Sequence, residues 1–177
     1  MKYIELRRHT RRVQPKEHLS QEGVRLARRV GEGMKPFDLV VMSRLGRAYE
    51  TAIAMGFAVD QQSATLNNAS NEAIQEMEFP AGFSRLTEIM EAGGAATRFA
   101  LKLAAFLGDI AWRLPEDGRA LVISHGGFVE VATIVSLPDH DLTQWGPACD
   151  YCEGVELAYF GRICVNGRIL RLSNGSQ

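Results

Sequence analysis

Two histidines stand where short strand-like runs end, His9 in IELRRHT (residues 4–10) and His125 in ALVISHGG (residues 120–127). A third such run, DLVVM at residues 38–42, leads into Ser43, Arg44 and Arg47, and two further guanidinium groups, Arg7 and Arg8, directly precede His9. An imidazole can serve as nucleophile, acid, base or metal ligand. Imidazoles and guanidinium groups gathered in one place repel one another unless an anion neutralises them, and forked arginine donors suit a tetrahedral dianion such as phosphate. Positive neighbours also disfavour imidazolium, so Arg8 is expected to lower the pKa of His9 and keep a ring lone pair free near neutral pH. A neutral His9 is then a nucleophile, and once it carries a phosphoryl group the repulsion becomes attraction.

For these groups to meet, the runs that carry them must lie side by side. Tyr3–Leu6, Asp38–Met42 and Ala120–Ile123 read as short buried strands, separated by helical patterns. Ser20 is placed to cap a helix with Val24, Ala27, Val30 and Met34 on its apolar face, and residues 48–58, 84–92, 96–114 and 128–137 read as further helices. Residues 61–80 show no assignable pattern. Near the end, GRICVNGRILRLS holds two β-type runs about Asn166-Gly167, a pair suited to a tight hairpin turn. Alternating strands and helices predict one domain over residues 1–177, a three-layer α/β/α sandwich with a mostly parallel central sheet and an antiparallel C-terminal hairpin. In such a sheet the carboxyl ends of the strands form one ligand-binding edge, which brings Arg8, His9, Arg44, Arg47 and His125 together. Helices starting near Arg47 and Gly127 would add free N–H groups and positive dipole ends.

The 177 residues are 46% hydrophobic and 23% charged, ordinary for one globular domain, with a formal net charge of −1. That balance argues against nucleic-acid or membrane partners, although residues 1–35 are rich in Arg and Lys. With no signal-peptide pattern and no apolar run long enough to span a bilayer, the expected location is cytoplasmic. Oligomeric state leaves no readable signal. Cys149, Cys152 and Cys164 are an odd number crowded into the last third and read as reduced thiols.

The same residues carry a resemblance. LRRHT resembles the Arg-His-Gly motif of the histidine phosphatase superfamily, the phosphoglycerate mutase-like proteins; SRLGRAYETA is similar to its Ser-Pro-Leu-x-Arg-Ala-x-Glu-Thr-Ala segment, and VISHGG to its second-histidine motif. The resemblance implies His9 as the phosphorylated nucleophile, Arg8 and Arg47 as clamps on the phosphoryl oxygens, and His125 as the second histidine, with Gly126 letting backbone approach the phosphate. It implies a phosphatase acting on a phosphorylated small molecule or a phosphoprotein, without metal or other cofactor, and makes a mutase the lesser reading. Thr10 replaces the motif glycine and Arg44 the proline, which puts both beside the substrate, and Pro15 and Lys16 occupy the region where an asparagine is often found. The family's proton donor follows the second motif, where NEAIQEMEF offers Glu72, Glu76 and Glu78; the apolar-x-Glu pattern of Ile74 and Glu76 favours Glu76.

Blander readings stand beside these. Arg7-Arg8-His9 alone is a solvated strand end, Ser-His-Gly-Gly alone a turn, and Glu50 a first-turn carboxylate favoured by its helix dipole. Trp112 and Trp145 read as packing residues, and Arg11 and Arg12 as loop charges with reach toward a distal acidic group. Two alternatives of other kinds remain: a phospholigand binder of the same fold without turnover, and a zinc module built from His140, Cys149, Cys152 and Cys164.

Overall fold

A computed structural model of the chain describes residues 1–172. Its centre is a six-stranded sheet in the order β3-β2-β4-β1-β5-β6. Strands β1 (Lys2–Arg8), β2 (Leu39–Ser43), β3 (Gln61–Ser63) and β4 (Arg119–Ser124) run parallel, and β5 (Gly154–Phe160) and β6 (Ile163–Leu170) add an antiparallel hairpin beside β1. Helices α1 (Gln21–Glu32) and α2 (Gly46–Ala54) cover one face; α3 (Asn71–Glu76), α4 (Phe83–Ala92), α5 (Ala95–Arg113) and α6 (Phe128–Ser136) cover the other. The expected three-layer α/β/α architecture is what the chain adopts.

Both faces are buried, which is why β2 and β4 are almost continuously apolar, while β1 keeps Glu5 and Arg7 as a buried pair on one face. Alternation along each strand divides their side chains: Ile4, Leu6, Val41, Ala120 and Val122 enter the larger core with α5 and α6, while Val40, Met42, Leu121 and Ile123 meet α1 and α2. Ser20 caps α1 as expected, its hydroxyl accepting the Gly23 N–H at 3.0 Å. The two helices of the smaller layer approach so closely that a Cβ on Gly31 would lie 2.0 Å from the Met55 carbonyl oxygen. Gly31→Ala is therefore expected to destabilise the fold by about 2 kcal/mol in urea unfolding, because neither backbone can yield without moving its helix.

Residues 61–80 contain structure that their side chains do not announce. β3 is three polar residues held by backbone pairing to β2, Ser63 caps a 3₁₀ turn at Ala64–Leu66, and α3 is only six residues, capped by Ser70. The C-terminal hairpin corrects the sequence expectation. Its turn lies at Gly161 (φ 61°) and Arg162, between β5 and β6, rather than at Asn166-Gly167, which sits inside β6 next to an irregularity in register. Gly167 is there for proximity: a Cβ would meet Leu137 at 2.8 Å and Leu157 at 3.1 Å. Ser173, the last residue of that expected pattern, lies outside the described residues. Among the described residues no helix is long and apolar enough to cross a membrane.

Candidate active site

β2, β4 and β1 are neighbours and parallel, so Ser43, His125 and His9 emerge together at their carboxyl ends. The His9 N–H donates to the Ser124 carbonyl at 2.9 Å, fastening the two histidine-bearing ends to each other. The imidazole rings lie 5.3 Å apart between centroids, tilted by 62°, and both side chains are buried.

The hydrogen bonds of His9 define its tautomer. Nδ1 lies 2.7 Å from the Thr10 carbonyl, which can only accept, so Nδ1 carries the hydrogen. Nε2 keeps its lone pair and receives the Arg47 Nε–H at 3.1 Å. Burial pushes the His9 pKa down to about 4 against the opposing bond to Thr10, and Arg47, Arg8 and Arg12 push the same way. The expected depression is present, but desolvation rather than Arg8 is its main cause. The pKa of His125 is driven down further, again first by burial and then by the charges of His9, Arg47 and Arg8. Its Nε2 is 2.9 Å from the Ser43 hydroxyl, and its Nδ1 is buried without a hydrogen-bond partner among the described residues.

Strand alternation separates the two arginines before His9. Arg7 turns to the α1–α2 side, where it pairs with Glu5 at 2.9 Å and donates to the Cys152 carbonyl at 2.7 Å. Arg8 turns to the histidines. Its guanidinium is stacked between Tyr151 (4.1 Å from the ring centroid) and Phe79 (5.2 Å), with Nη1 donating to the Cys149 carbonyl at 3.0 Å and a buried Nε that has no hydrogen-bond partner among the described residues. Arg47, from the first turn of α2, bridges His9 and the Glu17 carboxylate. Two buried neutral imidazoles and two arginines thus gather at one sheet edge, an arrangement that attracts a compact oxyanion and, once that oxyanion draws the Arg47 Nε–H away, offers it a nitrogen lone pair.

Of the other sequence-derived candidates, Gly126 lies beside Arg8, while the Thr10 side chain and Arg44 are engaged away from the histidines. Thr10 is fully buried; its hydroxyl donates to the Gly23 carbonyl and its N–H to the Thr51 hydroxyl, so it holds the β1 end against the helices rather than facing a substrate. Arg44 is exposed, its N–H donating to the Asn67 side chain at 3.0 Å. Gly126 makes room for Phe79, whose ring would be 2.5 Å from a Cβ, and Arg8 Nε would be 3.2 Å away.

The structure does not bring Glu76 into the cluster. Its carboxylate accepts the Ala96 N–H at 2.7 Å and sits against Gly94, capping α5, and those backbone N–H groups hold its pKa below the usual range. That is the opposite of an acid poised to give up a proton near neutrality. Glu78 pairs with Arg85 at 2.8 Å, and Glu72 is exposed in the first turn of α3. The zinc alternative fails on geometry. Cys149 is packed in the larger core and Cys152 in the smaller, Cys164 faces the Asn166 carbonyl on β6, and His140 lies by a pocket near α4 and α6. No group of three or more potential metal ligands gathers among the described residues.

Sequence reasoning missed Ser43, Glu17, Phe79, Tyr151 and the Cys149 carbonyl as parts of this cleft. Ser43 had a signal, because it closes the β2 run at the height of His125. The aromatic pair had none, since both rings arrive from loops far along the chain.

The fold and the cleft together define a three-layer α/β/α protein with paired histidines and arginines at the carboxyl edge of its sheet. A family description, histidine phosphatase superfamily (branch 1), matches residues 5–164, and the chain belongs to that superfamily. The fold is shared with phosphoserine phosphatase from Entamoeba histolytica, solved with 3-phosphoglyceric acid, at 15% identity and a TM-score of 0.72 over 97% of this chain and 98% of that one. It is shared with a phosphoglycerate mutase from Bacillus anthracis (16% identity, TM-score 0.69, 96% and 92% covered) and with a mycobacterial glucosyl-3-phosphoglycerate phosphatase (18%, 0.66, 96% and 97%). No curated protein sequence matches the chain.

Proposed function

We propose that the chain is a phosphatase that hydrolyses a phosphomonoester, on a small molecule or a protein, through a phosphohistidine on His9. The observation that carries this is the state of His9: buried and neutral, with Nδ1–H on the Thr10 carbonyl and the Nε2 lone pair turned toward Arg47 beside His125. As the ester binds, the Arg47 Nε–H turns from His9 Nε2 to a phosphoryl oxygen; Nε2 then bonds to phosphorus, the ester P–O bond breaks and the leaving oxygen takes a proton from solvent water. In the second step a water attacks phosphorus and gives up its proton to solvent, the N–P bond breaks, and inorganic phosphate leaves with His9 restored. Arg8 and Arg47 stabilise the charge on the non-bridging oxygens, and the unpaired Nδ1 of His125 is available to a further oxygen.

Hydrolysis of p-nitrophenyl phosphate tests the reading, because its leaving group needs little protonation. Release of phosphate with competitive inhibition by vanadate supports it; no turnover by folded protein contradicts it. A mutase is separated in the same assay by supplying an acceptor alcohol, since it hands the phosphoryl group to that alcohol rather than to water. The engagement of Glu76 with α5 favours one second reading, a phospholigand binder without turnover. Glu76→Gln is expected to leave turnover within about threefold of wild type while lowering the melting temperature, because a neutral amide is the weaker partner for the α5 N-terminus. A loss of a hundredfold or more with an alkyl phosphate would restore Glu76 as the proton donor.

A further inference from the structure

Glu130 is a fully buried carboxylate that the proposed reaction does not use. It lies in the first turn of α6, five residues after His125, between Val129 and Val131, which are equally buried. A side chain needed only to fill that space would be apolar, since a buried carboxylate costs several kcal/mol by order of magnitude unless it is bonded. Its Oε1 accepts the Cys149 N–H at 2.6 Å, and its Oε2 has no hydrogen-bond partner among the described residues.

Cys149 opens the segment that holds Arg8. Its carbonyl receives Arg8 Nη1 at 3.0 Å, the ring of Tyr151 covers the guanidinium, and the main chain of Arg8 is bonded on both sides: its N–H to the Glu153 carbonyl at 2.9 Å, its carbonyl to the Cys152 N–H at 3.1 Å. Segment 149–153 therefore sets where Arg8 points, and Glu130 anchors the start of that segment to the helix that follows His125.

We infer that Glu130 is a positioning residue, which by gripping the Cys149 N–H holds the Cys149 carbonyl, and through it the Arg8 guanidinium, in register with His125 for binding a phosphoryl group. This rests on the phosphate cleft of the proposed function but not on turnover. The carboxylate acts on Arg8, by way of the Cys149 N–H it grips and by its charge, and not on the phosphate itself. Its contribution to phosphate affinity must then exist only while Arg8 is present.

Titration calorimetry with inorganic phosphate tests it on the full chain as wild type, Glu130→Leu, Glu130→Gln, Arg8→Ala and Glu130→Leu/Arg8→Ala. Glu130→Leu is expected to weaken phosphate binding about tenfold, and Glu130→Gln, which keeps the oxygen acceptor, to return it to within about twofold of wild type. In the Arg8→Ala background Glu130→Leu should change nothing further, a coupling that a merely structural carboxylate would not show. If Glu130→Leu does not fold, Glu130→Asp, which draws the acceptor back by one methylene, is expected to weaken binding about threefold with the same dependence on Arg8. Wild-type affinity in the folded Leu or Asp variant, or an equal loss with and without Arg8, overturns the inference. Wild-type protein that binds no phosphate contradicts the phosphate cleft itself, whereas protein that binds phosphate without hydrolysing esters contradicts only the proposed activity.

Discussion

His9→Ala is expected to lower kcat/KM for an aryl phosphate by about 10⁴-fold or more, to the limit of detection, while the fold and phosphate binding survive. In the proposed reaction the nucleophile cannot be replaced by the residues around it: Arg8, Arg47 and His125 would stabilise charge but offer phosphorus no second lone pair in the same line. The alanine also removes a desolvated imidazole whose burial opposes its charged form, so the variant should lose less stability than wild type as pH falls from 7 to 5. Steady-state kinetics with phosphate calorimetry check both parts. Residual activity within tenfold of wild type would mean that another group attacks.

The second large effect is on stability against acid. Both imidazoles titrate lower in the folded chain than in the unfolded one, His9 near 4 and His125 lower still, against an ordinary 6.5. As pH falls below about 6.5 the unfolded chain takes up protons first, so the stability that depends on neutral imidazoles is complete above that value and is lost on the way down to about 4. Each histidine contributes a slope of at most about 1.4 kcal/mol per pH unit, and the pair together about 4 kcal/mol between pH 7 and pH 5. Buried Glu130 works in the other direction, since burial raises its pKa and acid relieves that cost. The comparison that isolates the histidines is therefore wild type against His9→Gln/His125→Asn, by urea unfolding at pH 7, 6 and 5. Wild type should lose about 4 kcal/mol more than the double variant over that range. Parallel pH profiles would show that the histidines are not desolvated in the folded state.

Much of this was legible in the chain because the sheet is buried on both faces. The runs LVVM and ALVI are apolar throughout, IEL is apolar on one face and carries Glu5 on the other, and a parallel sheet puts their carboxyl ends on one edge, so His9, Arg8, Arg47 and His125 could be gathered from the sequence alone. What could not be read is what backbone or distant loops decide. β3 is polar and pairs through its main chain. Asn166-Gly167 has turn chemistry but is used inside a strand, because Leu137 and Leu157 need the space that Gly167 leaves. Glu76 follows an apolar-x-Glu pattern, yet whether a carboxylate faces a cleft or a helix end is decided by the path of residues 77–95, which no spacing reveals. Tyr151 and Phe79 reach Arg8 from opposite parts of the fold, and Arg7 and Arg8 part company only because adjacent residues in a strand face opposite ways.

The central claim is that His9 Nε2 bonds to phosphorus during turnover. The most direct measurement mixes the protein with a ³²P-labelled aryl phosphate, stops the reaction in alkali within one turnover and analyses the labelled peptide. Label on the peptide that carries His9, stable to base and lost in mild acid as a phosphoramidate must be, is the predicted result. Steady hydrolysis with label on no peptide, or on a peptide without His9, would contradict it.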